Sequence, residues 1–274
     1  MYDLAALEAA LQGTIYAGKL HFSAVTGSTN SDAMAAARAG APHGSVYFAD
    51  EQTAGRGRGD HRWESAAGQG LYVSVLLRPV GVSPRALHLF PLAAGLAAAE
   101  AVFRASGLQV DLRWPNDLLI STPQMKTSPW GPQSGERKAG GILVESKADR
   151  DEVNFAVVGI GINVHQQRFA SDVSTPATSL DLESGRTVSR QKLLIALLES
   201  LQHETFSLHD PAVVAVIPAR VAQTSTWLWN RHVEVHGPQA CIGVTEGLDE
   251  NGFLRVKTDQ GIVTVQTGGI RAVD

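Results

Sequence analysis

One cysteine, Cys241, stands in 274 residues, so no internal disulfide can form and the chain is expected to work in the reducing cytoplasm. Long hydrophobic runs are also missing. The apolar stretch from Leu87 to Ala99 is cut by His88, Pro91 and Gly95 before it reaches the roughly 18 residues a bilayer needs, which predicts no membrane-spanning helix. The opening MYDLAALEAALQ carries Asp3 and Glu8 where a secretory signal carries Lys or Arg, and it has no long apolar core. Positive charge is not in excess: 23 Lys and Arg against 27 Asp and Glu leave a net charge of −4, which argues against the broad basic face of a nucleic-acid binder. Any anion site must be local.

Hydrophobic residues at 44% and charged residues at 18% are globular values and allow a sizeable core. The length suits one large domain, or one of about 200 residues with a small companion. SAVTGSTNSDAMAAARAG begins with the capping candidates Ser28, Thr29 and Asn30 and stops at Gly40, so it predicts a loop leading into a helix. SVYFADEQ and GLYVSVLLR read as strands on either side of an arginine-rich loop. Ser83 and Pro84 suit the start of a long alanine-rich helix ending near Gly107, with a kink expected at Pro91. The sheet should continue through VDLRW, DLLI, GGILVES and VNFAVVGIGINV. Between the second and third of these, STPQMKTSPWGPQSGERK has no period and predicts a long mobile surface loop. Ser189 to Leu208 carries a helical leucine stripe. After about Thr224, short alternating runs between Gly-rich turns predict an antiparallel barrel or sandwich of about 50 residues. The expected division is 1–223, with an N-terminal helix over about 1–20, and 224–274.

Four stretches carry candidate chemistry. In EQTAGRGRGDHRWES, glycines expose successive backbone N–H groups while Arg56 and Arg58 offer fork-shaped donors to a phosphate or carboxylate. No Gly-Lys-Ser/Thr follows, so it is not a P-loop, and no helix follows closely enough for a dinucleotide fingerprint. A solvated basic hairpin tip is the bland alternative. RWPND joins Arg113, a large ring and Asp117, a carboxylate able to hold magnesium, orient an amine or simply end a strand. Lys138 precedes two glycines and a buried strand, where it can deliver a point charge or merely face solvent. Gly159 and Gly161 weaken an apolar strand unless a bulge or a ligand approaches there, and Asn163 adds an amide beside them.

GSTN, EQTAGRGRGDHRW, RWPND with KAGGILVE, and VVGIGINV, in that order and before a small β-rich region, closely resemble the biotin protein ligases over roughly residues 20 to 274. The resemblance implies an α+β fold: a mixed-sheet catalytic domain akin to the class II aminoacyl-tRNA synthetase core, then a small SH3-like β-barrel. It implies that biotin and ATP form biotinoyl-5′-adenylate and pyrophosphate, with magnesium as activator. Biotin then passes to a lysine of a biotin carboxyl carrier protein of acetyl-CoA carboxylase or a related carboxylase.

By motif position, Ser28, Thr29, Asn30 and Gln52 would bind biotin's ureido ring, and Arg56, Gly57 and Arg58 its carboxylate and later the adenylate phosphate. Arg58 would also keep the adenylate from escaping. Trp63 would cover the adenine or biotin, Lys138 would neutralise the phosphate in both half-reactions, and Asn116 would lie by the adenylate. Asp117 would assist the incoming lysine or a magnesium ion; Lys138, Arg58 and Asp117 are thus the catalytic candidates. Gly141, Gly159 and Gly161 would let the backbone approach biotin, with Asn163 near the adenine.

The chain departs from the family pattern in four places. Arg113 stands where a lysine is usual, and Gly59, Asp60 and His61 replace the last Arg-Gly-Arg of the loop. Ile270 follows Gly269 where an acid is frequent, and the Ile120 to Lys138 connection is longer than expected. Some relatives repress transcription through an N-terminal winged helix of about 60 residues. Here the motifs begin at Ser28, so no DNA partner is expected, and no membrane partner either. A homodimer is allowed. Lipoate or octanoate ligases share the fold and are the nearer rival, but a ureido ring needs hydrogen-bonding residues where a fatty chain needs apolar walls.

Overall fold

The computed structural model describes residues 2–59, 61–121, 135–169, 175–206 and 208–273. The segment expected to be a long surface loop falls mostly at 122–134, outside the described residues. The first helix, α1 (Leu4–Ala10), is capped by Asp3, whose carboxylate accepts from the Ala6 N–H at 3.0 Å. It stops well short of the expected residue 20, because the chain turns at Gly13 and Gly18, both with positive φ.

Seven strands follow: β1 (Leu20–Thr26), β2 (Ser45–Gln52), β3 (Gly70–Leu77), β4 (Asp111–Arg113), β5 (Asp117–Ser121), β6 (Glu136–Ala148) and β7 (Val153–Asn163). They form one sheet in the order β1-β2-β3-β7-β6-β5-β4. The β1–β2 pair is parallel, joined across α2 (Thr29–Arg38), and the other neighbours are antiparallel, which makes the sheet mixed.

Strand β3 is buried along its whole length because both faces are covered. Alternation sends Leu71, Val73, Val75 and Leu77 into the main core, while Leu76 joins Phe155 and Val157 under α2. The main core is closed by α3 (Leu89–Ser106) and α5 (Arg190–Phe206), which pack on each other and on the sheet. Leu193, Leu194, Leu197, Leu198 and Leu201 are the buried stripe of α5.

The helix expected from Ser83 is broken in a different place. Ser83 caps a short 3-10 turn, Pro84–His88, and α3 starts afresh at Leu89, so Pro91 lies in the first turn, where its missing N–H costs no helical bond. Gly107 ends α3 in the left-handed region at φ 77°. By length and composition the Pro84–Ser106 segment would also pass for a membrane span, contrary to the sequence expectation. Here it is the central core helix, with Phe90, Ala94 and Ala101 fully buried. A short helix, α4 (Leu180–Ser184), precedes α5, and α6 (Pro211–Thr224), unforeseen in the sequence, follows it.

Five antiparallel strands complete the chain: β8 (Trp229–His236), β9 (Cys241–Leu248), β10 (Leu254–Thr258), β11 (Gly261–Val265) and β12 (Gly269–Ala272). Their order is β11-β10-β9-β8-β12, and among the described residues no ladder joins β11 to β12. The sheet is open in this order: the small antiparallel β-region expected after Thr224 is present, and its closure into an SH3-like barrel is not seen among the described residues.

It is anchored to the large sheet by polar ties as well as by a shared core containing Val233, Val235, Leu254 and Val256. Trp114 Nε1 donates to Gly252 O at 3.1 Å, and Arg231 holds Glu136 of β6 through two bonds of 3.0 and 2.9 Å. The guanidinium groups of Arg113 and Arg231 both lie over the Trp227 ring, 5.1 and 4.1 Å from its centre. Trp114→Phe removes the Nε1 donor together with the pyrrole half of the indole, leaving the Gly252 carbonyl unpaired beside a small cavity. It is expected to lower the unfolding free energy by about 1–3 kcal/mol in urea denaturation, and no change would mean that this bond does not anchor the small sheet.

Candidate active site

Period two places Gly141, Leu143 and Glu145 of β6 on one face of the sheet, next to Gly159 and Gly161 of β7 and Ser74 of β3. Further along the same face α2 covers larger residues. Here the side chains are small or absent, and a cleft of about 1500 Å³ opens. The glycines are required by side chains that lie flat on them. A Cβ at Gly159 would stand 2.0 Å from Asn30 Oδ1, and one at Gly161 would stand 2.7 Å from the Trp63 indole. The expectation that these glycines admit a ligand to the backbone is therefore modified: the space over both is filled by Asn30 and Trp63. At Gly141 the nearest atoms, on Lys138 and Trp63, are 3.5 Å from such a Cβ, an ordinary contact distance.

The start of α2 brings an amide relay to the cleft floor. Ser28 is the buried N-cap residue, yet its hydroxyl caps no N–H and so remains available. Gln52 Oε1 accepts from the Thr29 N–H at 2.9 Å and from its hydroxyl at 3.1 Å, while Gln52 Nε2 donates to Ser65 Oγ at 2.7 Å. Ser74 Oγ donates to Asn30 Oδ1 at 2.6 Å and shares a 2.8 Å bond with the Thr29 hydroxyl. Asn30 Nδ2 donates to Glu145 Oε2 at 2.9 Å.

The arginine loop is a narrow hairpin. Gln52 pairs with Ser65 and Arg56 with Arg62, and the Gly57 N–H donates to His61 O at 2.7 Å. Gly55 has to be glycine, since a Cβ there would meet Trp63 O at 2.4 Å. Arg56 forms a two-bond pair with Glu145, at 3.0 and 2.5 Å. Arg58 reaches the opposite wall, donating to Gly268 O and, at 2.7 Å, to Thr267 Oγ1. Burial pulls the Arg58 guanidinium below its ordinary value against the attraction of Asp117.

In the same cleft Asp117 lies between two cations. Its Oδ1 is 2.5 Å from Lys138 Nζ, and its Oδ2 accepts from Arg113 at 3.1 and 2.6 Å. Burial raises the carboxyl's pKa, yet Lys138 and Arg113 together hold it below the usual carboxylate range. With both oxygens engaged, Asp117 does not fit the role of a magnesium ligand, and among the described residues no group of three His, Cys, Asp or Glu side chains does. Arg113 also donates to Thr175 at 2.9 Å, a third bond that the usual lysine could not add in the same geometry. The Lys138 backbone is pinned by Pro176 and Thr178, and its ammonium sits 5.7 Å from the Trp63 ring.

Every expected site residue lines this one cleft. Asn116 and Asn163, like the groups above, have partners within the wall: Asn116 Nδ2 donates to Ile142 O at 2.8 Å, and Asn163 Nδ2 donates to Thr178 O at 3.0 Å. Sequence reasoning missed Ser65, Ser74, Glu145, Thr267 and Gly268. Glu145 closes the quoted KAGGILVE motif and could have been flagged as a charge within a buried strand; the others carry no such signal.

A cleft that sets two arginines and a lysine against a hydrogen-bonding floor defines a site for a small acid and a phosphate. The chain belongs to the Biotin/lipoate A/B protein ligase family, which matches residues 23–163. The Biotin–[acetyl-CoA-carboxylase] ligase of Mycobacterium tuberculosis is 32% identical over 254 residues, covering 90% of this chain and 86% of that protein. The Bifunctional ligase/repressor BirA of Bacillus subtilis is 30% identical over 258 residues, covering 90% and 71%. Among solved structures, the biotin protein ligase from Aquifex aeolicus in complex with biotin and ATP matches with a TM-score of 0.76 and 25% identity, over 93% of this chain and all of that one.

Asp117→Asn strips both cations of their charge partner and is expected to lower stability at neutral pH by about 2–4 kcal/mol. Because the folded pKa of Asp117 is depressed, its contribution is present above the ordinary carboxylate range and is lost as pH falls through the folded value. The gap between wild type and variant in urea titrations should close in acid; a gap independent of pH would refute the pairing.

Proposed function

We propose that this chain is an ATP-dependent biotin ligase that activates biotin as biotinoyl-5′-adenylate and transfers it to a lysine of a biotin carboxyl carrier protein. The observation that carries this reading is that Arg56, Arg58 and Lys138 line the same cleft as Ser28, Thr29, Asn30 and Gln52. The names of the relatives and the ligands of the Aquifex aeolicus structure support the same reading.

In the first step a biotin carboxylate oxygen bonds to the α-phosphorus of ATP, and the bond to pyrophosphate breaks. Arg56 and Arg58 hold the carboxylate, which lessens its repulsion from the phosphates, and Lys138 meets the charge that grows on the α-phosphate. In the second step the carrier amine attacks the acyl carbon, forms an amide, sheds a proton and expels AMP. Asp117, held as a weak base by its two cations, orients Lys138 and does not serve as the proton acceptor. Arg58, tied to the far wall, retains the adenylate while it is exposed to water. Asn116 and Asn163 frame the adenylate end, and Gly57 keeps the loop narrow. Magnesium, if required, would be held by the ATP phosphates and would offset their charge, since both Asp117 oxygens are engaged by Lys138 and Arg113.

Residues 1–223 are read as the catalytic unit and 224–274 as an SH3-like module of open form. The single cysteine supports a cytoplasmic setting. The rival reading, a lipoate or octanoate ligase, is disfavoured by the polar floor of Ser28, Thr29, Asn30 and Gln52, where the buried Ser28 hydroxyl caps no N–H and would be left without a partner by a fatty chain.

The decisive experiment is mass spectrometry of the products formed with ATP, magnesium and an equal mixture of biotin, lipoate and octanoate. Biotinoyl-adenylate alone is expected, and a lipoyl or octanoyl adenylate would overturn the assignment. Lys138→Ala is expected to slow adenylation about 10²–10³-fold with biotin binding nearly unchanged. An equal loss of affinity and rate would remove Lys138 from the phosphate.

A further inference from the structure

The Arg56–Glu145 ion pair engages, through Arg56, a cleft that the proposed function gives to an acid. Glu145 projects from β6 on the cleft face, two positions beyond Leu143, which is paired with Gly159. Both of its oxygens are bound by the Arg56 fork, and Oε2 also accepts from Asn30 Nδ2 at 2.9 Å. Asn30 Oδ1 is occupied by Ser74, so Glu145 and Ser74 together fix which way that amide faces. One internal carboxylate oxygen therefore joins the residue assigned to the ureido ring to the residue assigned to the carboxylate, and holds Arg56 nearer Asn30 than the length of the ligand, so Arg56 must leave Glu145 to meet the ligand's acid.

A guanidinium fork binds one carboxylate in two-bond geometry at a time. A ligand acid that reaches Arg56 finds that geometry taken, and taken by a group of the same charge. A neutral analogue has nothing to exchange for it, since replacing a charged partner by an uncharged one forfeits the stronger bond.

We propose that Glu145 is the carboxylate a substrate acid must displace. It holds Arg56, and with it the arginine hairpin, against β6 until an anion takes its place, and it keeps the Asn30 amide oriented throughout. Glu145 is thus a positioning residue that sets affinity for the ionised acid and withholds Arg56 from neutral analogues. This rests on the biotin reading above.

The test is calorimetric titration of wild type and Glu145→Gln with biotin and with biotinamide, which carries the same ring and chain but no carboxylate. Glu145→Gln keeps an oxygen for Asn30 and loses the charge against Arg56. Biotin is expected to bind it about three- to tenfold more tightly, while biotinamide changes by under about twofold. Equal shifts for both ligands, or selective weakening of biotin, would overturn the proposal. Glu145→Ala also removes the Asn30 acceptor and is expected to weaken biotinamide, which separates the orienting role from the exchange. If Glu145→Gln does not fold, Glu145→Asp, whose carboxylate is drawn back by one methylene, is read by the same difference between ligands. Failure of both ligands to bind wild type would overturn the biotin reading itself, a result unlike any of the others.

Discussion

Asn30 and Trp63 can lie flat against the sheet because Gly159 and Gly161 carry no side chain, and the rest of the cleft is arranged around that contact. With Asn30 seated, its amide reaches Ser74 on one side and Glu145 on the other. Through Glu145 the network continues to Arg56 and the arginine hairpin. With Trp63 seated, the returning arm of that hairpin is pressed down beside Lys138. Two positions on one strand thus determine where a relay of amides, a hairpin and three cations stand.

The cations raise a second problem, since a pocket built for anions must stay folded when it holds none. Each is answered from within the chain. Lys138 and Arg113 share Asp117, Arg56 has Glu145, and Arg58 is given carbonyl and hydroxyl oxygens of the second sheet in place of a carboxylate. The difference matters chemically. Asp117 is buried between two partners and holds them permanently, whereas the Arg56–Glu145 pair is partly exposed, with 43% and 27% of its side chains accessible, a setting in which partners exchange readily.

Much of this was legible in the sequence wherever the signal is local. Alternation gave the strands, GSTN gave the start of α2, and the glycine-spaced arginines gave the anion hairpin. What failed depended on distance or on packing. Glu145 meets Arg56 across 89 positions of sequence, and Arg58 meets Gly268 across 210, separations that no spacing rule covers. The helix α6 escaped because its apolar residues run nearly unbroken into Pro218, which masks the period. Whether the small sheet is an open layer or a barrel was not legible, because alternation within strands says nothing about which of their edges meet. The glycines of β7 were noticed, but not that the site's own side chains fill the space above them.

The bonds from Arg58 to residues 267 and 268 join the two sheets at the pocket, across as many as 210 positions of sequence. One part of the cleft comes from residues 28–30 at the start of α2 and another from residues 267–271 of the small sheet, so the pocket is complete only while that sheet is docked on the large one. Occupation of the pocket and docking of the small sheet are therefore thermodynamically linked, and whatever tightens one tightens the other by the same free energy.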